Sequence, residues 1–114
     1  MAQIFIPSGE WNPYAYEKVT VSTTAVGGTS ATITQSDGQN PVGVRRARAV
    51  LLSVDATNPI RYRIDGGTPT ATDGHELLGS DEVLIEGISS VSKLRMIRSG
   101  AADATVHLTY FRTS

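Results

Sequence analysis

The chain has no cysteine. A disulfide framework, a zinc ribbon, a thiol nucleophile and an iron–sulfur site are therefore excluded. Charge is scarce and balanced: ten Lys and Arg against eleven Asp and Glu leave a formal net charge of -1, which excludes nucleic-acid binding driven by overall positive potential. Long apolar runs are missing, and no stretch approaches the roughly 20 residues that a membrane-spanning helix needs. The opening residues MAQIFIP lack the basic segment and the apolar run of a secretory signal. A soluble protein made in a cytoplasm, with no membrane partner, is the expectation. Helical periodicity is also missing, since no segment keeps an i, i+3, i+4 apolar pattern over about ten residues. Asp73 and Glu76 have capping-box spacing, but Gly79 follows too soon for a helix to grow.

What remains is a chain of 114 residues, enough for one core and too little for two. Only 39 % of it is hydrophobic, with Thr, Ser and Gly filling the balance, so a coiled coil is excluded. From residue 17 onward, short alternating segments are separated by turn residues. EKVTVS at 17–22 puts Val19 and Val21 on one face, and SATIT at 30–34 does the same with Ala31 and Ile33. Residues 26–29 read as a turn and 35–43 as a loop. RAVLLSV at 48–54 is largely apolar, the pattern of a central strand covered on both sides. In IRYRI at 60–64, Ile60, Tyr62 and Ile64 oppose Arg61 and Arg63. Further strands are expected at 75–78, 82–86, 92–98 and 104–111. About eight strands at this spacing predict an all-β domain: a single antiparallel β-sandwich, jelly-roll or immunoglobulin-like, over residues 17–114.

Residues 1–16 read differently, as an extended N-terminal arm. Pro7 and Pro13 oppose helix and interior strand. Phe5, Trp11, Tyr14 and Tyr16 give the arm apolar surface that needs something to pack on, either its own core or a neighbouring subunit or partner. Charge is uneven in one respect. Eight of the ten cationic residues are Arg, and every cation except Lys18 follows residue 44. Arg45, Arg46 and Arg48 cluster, while Arg61/Arg63 and Arg95/Arg98 lie on strands. They form either a solvated face with cross-strand carboxylate pairs or an interface, where Arg is enriched.

Reactive constellations are absent. His75 and His107 are the only histidines. Asp73, His75 and Glu76 stand close together, but a metal site needs three or four convergent ligands. There is no Gly-x-Ser-x-Gly elbow. Asp81 and Glu82 are adjacent and would point to opposite faces, which is the wrong geometry for a glycosidase pair. The segment from Gly27 to Ser30 lacks the Lys of a phosphate loop. Neither a catalytic residue nor a metal or cofactor is expected, and the chain reads as a non-enzyme.

The span from Arg45 to Arg112 carries a pattern. It runs through RRARAVLLS at 45–53, IRYRIDG at 60–66, TPT at 68–70, Gly74-His75, Ile97-Arg98 and TVHLTYFR at 105–112. Over more than half the chain, it is similar to small β-sandwich virion structural proteins encoded among the head and tail genes of tailed bacteriophages. The resemblance implies a particle component, most simply a capsid decoration (cement) protein. Such a protein would bind the major capsid protein, form a homo-oligomer with a trimer favoured, and reside in the virion after assembly in the host cytoplasm. Its partner-binding residues would be Phe5, Trp11, Tyr14, Tyr16, Arg45, Arg46 and Arg48, with no nucleic acid as partner. A head–tail connector or tail component is the alternative within the virion. A carbohydrate-binding module, with Tyr14 and Tyr16 as its aromatics, is the alternative of another class.

Overall fold

The computed structural model describes residues 11–28 and 47–113. Phe5, Arg45, Arg46, the strand expected at 30–34 and the loop expected at 35–43 lie outside the described residues. Seven strands and one short helix form among the described residues. In chain order they are β1 (Trp11–Val21), β2 (Ala49–Val54), β3 (Ile60–Arg63), β4 (His75–Leu77), β5 (Glu82–Glu86), α1 (Ile88–Lys93), β6 (Arg95–Arg98) and β7 (Ala104–Thr113). The class is all-β. Two antiparallel sheets result: sheet A, with strand order β1-β7-β2-β5, and sheet B, with order β4-β3-β6.

The alternation read along the chain decides which side chains enter the core. On sheet A the inward set is Val21, Val50, Leu52, Val54, Ile85, Ala104, Val106, Leu108 and Tyr110. Ile60 and Met96 of sheet B, with Val91 and Leu94 around α1, join the same cluster. Burying each such aliphatic side chain contributes about 1.5–3 kcal/mol, so these faces hold the layers together. The run at 48–54 forms a central strand, β2, hydrogen-bonded to β7 on one side and β5 on the other, but it is not covered equally on both faces: Val50, Leu52 and Val54 are buried, whereas Leu51 and Ser53 are half-buried on the other face. At the end of β1 the chain leaves sheet A and closes on sheet B. Val26 and Met96 exchange backbone bonds of 2.9 and 2.7 Å, and the Arg98 N–H donates to Ser22 O at 3.0 Å.

Three sequence expectations change. Residues 11–16 are not an arm but the first six residues of β1, paired to β7 from Trp11↔Thr113 onward. Among the described residues β1 is an edge strand, a position that tolerates Pro13. Val26, expected in a turn, forms the bridge to Met96. The strand expected at 92–98 begins only at Arg95, because residues 88–93 coil into α1. Gly87, with φ at +105°, makes the entry into that helix. Six residues are too few to show a helical period in sequence.

Candidate interaction surface

Among the described residues, two of the expected partner-binding residues, Tyr14 and Tyr16, do not share a face of sheet A. Trp11 opens β1 opposite Thr113. Tyr14 and Tyr16, two positions apart, would share a face in a regular strand. The register shifts between Pro13↔Phe111 and Ala15↔Tyr110, leaving Tyr14 as the extra residue of a β-bulge. Tyr14 and Ala15 therefore both turn to the core, and Tyr16 turns away from it.

Inside, Tyr14 packs on Tyr110 with ring centroids 6.4 Å apart, and the guanidinium carbon of Arg112 lies 3.9 Å above its ring centre. That is cation–π geometry, and it accommodates a charge that is only 6 % exposed. The Tyr110 hydroxyl donates to Glu17 Oε2 at 2.5 Å. Burial pushes the Tyr14 phenol above its ordinary range, and the nearby positive Arg112 only partly opposes it. This cluster fixes the register of β1 on β7; it is structural.

Outside, Tyr16 is 60 % exposed. Its hydroxyl and His107 Nδ1 are 2.6 Å apart, and His107 Nε2 lies 2.7 Å from Asp55 Oδ1. A neutral imidazole with its proton on Nε2 satisfies both contacts, accepting from Tyr16 and donating to Asp55. The two ring planes differ by 15° with centroids 5.9 Å apart. An oxygen–nitrogen distance of 2.6 Å is well below the roughly 3.5 Å spacing of stacked planes, so the rings meet edge to edge rather than overlap. Phenol, imidazole and carboxylate thus form a flat strip from β1 across β7 to the turn after β2. Cross-strand register sets its surroundings. Lys18, His107, Ser53 and Glu82 form one row across four strands, and Tyr16, Thr109, Leu51 and Leu84 form the next.

Arg48, just before β2, is exposed, and its side chain makes no ion pair or hydrogen bond among the described residues. The strand arginines are mostly committed. Arg61 donates from Nε to Ala71 O at 2.9 Å and from Nη1 to Gly74 O at 2.8 Å, with Glu76 3.8 Å away across the strand pair. Arg63 grips Asp65 through two bonds of 3.0 and 2.6 Å. Arg98 pairs with Asp103 at 2.7 Å.

A shallow concavity of about 500 Å³ lies on sheet B, lined by Arg63, Ile64, Asp65, Asp73, Gly74 and His75. Asp65 also accepts the Gly67 N–H at 3.1 Å, and the Arg63 guanidinium holds its carboxyl well below the usual carboxylate range. The principal charges there satisfy each other. His75 packs against Tyr62, centroids 5.4 Å apart, and lies on the other sheet from His107. Among the described residues no three His, Asp or Glu side chains converge on a metal position, and no helix is long and apolar enough to cross a membrane.

Alternation along 104–111 puts His107 on the face opposite Val106 and Leu108. It does not mark Asp55 or the link to Tyr16, because no local pattern marks a contact between residues 91 positions apart. No family model matches this chain, and no curated protein or solved structure matches it either.

Proposed function

We propose that this chain is a structural protein of a tailed-phage virion, acting as a decoration protein on the major capsid shell. One observation carries the reading. The pattern that resembles such proteins coincides with the residues that shape one hairpin. Arg61 holds the loop after β3 by the carbonyls of Ala71 and Gly74. Asp65 closes the preceding turn through Arg63 and Gly67. Pro69 is fully buried, and Gly74 takes a φ of +126° that other residues rarely adopt. Farther along, Arg98 pairs with Asp103, and Tyr110 and Arg112 build the inner cluster on β1. A pattern made of geometry-setting residues speaks for kinship of fold, and the kin it resembles are virion components.

In this reading the domain is a β-sandwich that binds capsid subunits through residues 1–10, the edge of β1 beyond them and the exposed Arg48. It assembles as a cyclic oligomer, a trimer by preference. Copy number in purified particles, measured by quantitative mass spectrometry against the major capsid protein, tests the assignment. Hundreds of copies are expected. About a dozen or fewer would place the chain at the head–tail connection or in the tail, and absence would end the reading. Deleting residues 2–10, which spares β1, should abolish particle binding while the unfolding transition persists.

A further inference from the structure

We infer that the outer face of sheet A carries a saccharide-binding subsite formed by Tyr16, His107 and Asp55. This stands apart from the virion reading and needs no capsid partner. A sugar ring offers one face of C–H bonds and a rim of hydroxyls. The outer face offers the matching pair: a flat aromatic surface with a carboxylate at its end. Tyr16 is the most exposed large apolar side chain described, and the hydrogen bond to His107 holds its ring in place. Such fixing removes rotamer entropy that a free tyrosine would lose on binding. Asp55 uses Oδ1 on His107 and, among the described residues, leaves Oδ2 to accept from sugar hydroxyls. Thr109 and Ser53, beside Tyr16 and His107 in the cross-strand rows, add hydroxyl groups that both donate and accept. Leu51 and Leu84, half-buried in the Tyr16 row, extend its apolar surface.

Nucleobases also stack on aromatic side chains. They arrive with phosphates, however, and the strip ends in the Asp55 carboxylate, with Lys18 as the cation of the His107 row. A neutral glycan meets no such repulsion. Tyr16 is exposed, so the affinity expected is that of a surface subsite, raised by repetition if several copies share one particle.

The test is an NMR titration of the full chain with cellohexaose, chitohexaose and mannohexaose, and with oligothymidylate as the nucleic-acid probe. At least one hexaose should shift the resonances of Tyr16, Asp55, His107 and Thr109. Tyr16→Ala should weaken that binding about tenfold or more while leaving the unfolding midpoint in place. Tyr16→Phe, which keeps the ring and loses the tie to His107, should weaken it only about two- to threefold. Three results would overturn the inference: no shift with any hexaose, binding that Tyr16→Ala leaves intact, or oligothymidylate binding in preference to the sugars.

Discussion

In sheet A the β1–β7 ladder runs for ten residue pairs, from Trp11↔Thr113 to Val21↔Ala104, whereas no strand of sheet B exceeds four residues. Sheet A is held by backbone pairing and by a continuous apolar face. Sheet B has too few ladder bonds for that and relies on side chains that bond to backbone. Arg61 alone secures two carbonyls of the loop between β3 and β4, and Asp81 Oδ2 accepts the Leu78 N–H at 3.0 Å in the turn before β5. Long strands are specified by alternation alone; the short ones also depend on individual polar residues at their loops.

Substitutions should separate the two modes. Leu108→Ala, at the centre of β7 and fully buried, should cost about 2–5 kcal/mol in denaturant unfolding. A loss below about 1 kcal/mol would mean that the sheet A face is not the main support of the fold. Arg61→Ala should cost less, about 1–3 kcal/mol, with faster amide exchange confined to residues 68–77. Exchange that accelerates equally in β1 and β7 would erase the distinction between the sheets. Asp65→Asn should have the smallest effect, visible as a pH dependence. The Asp65 pKa is depressed in the folded state, mainly by the hydrogen bonds from Arg63 and the Gly67 N–H. Its contribution is therefore complete above the unfolded value, about 3.9, and is lost as pH falls below that toward the folded value. The stability gap between wild type and Asp65→Asn should stay level from neutral pH down to about 5 and narrow in stronger acid. A gap that widens in acid would reverse the sign of the Arg63–Asp65 coupling.

The same division explains what the sequence made legible. The alternation of Ile60 and Tyr62 against Arg61 and Arg63 identifies β3, because burial of one face imposes a period of two, and the unbroken apolar run marks β2. Alternation along 104–111 gives the inward set of β7, Val106, Leu108 and Tyr110, for the same reason. The bulge at Tyr14 is not legible, since one extra residue leaves no mark in composition, yet it sends Tyr14 and Tyr16 to opposite sides of the sheet. α1 escaped because its six residues bury chiefly Val91. The strip of Tyr16, His107 and Asp55 comes from three segments brought together only by strand order, which alternation does not encode.

That strand order also sets a timetable. β7 lies between β1 and β2, so both remain without their shared neighbour until residues 104–113 have been synthesised. The Tyr110–Glu17 contact closes a loop of 93 positions, and loop-closure entropy must be met before the ladder gives anything back. Sheet A is thus completed only after every residue of sheet B has been synthesised. During that interval β1 presents an unpaired edge on each side, the state in which a chaperone or a second nascent copy would compete for it.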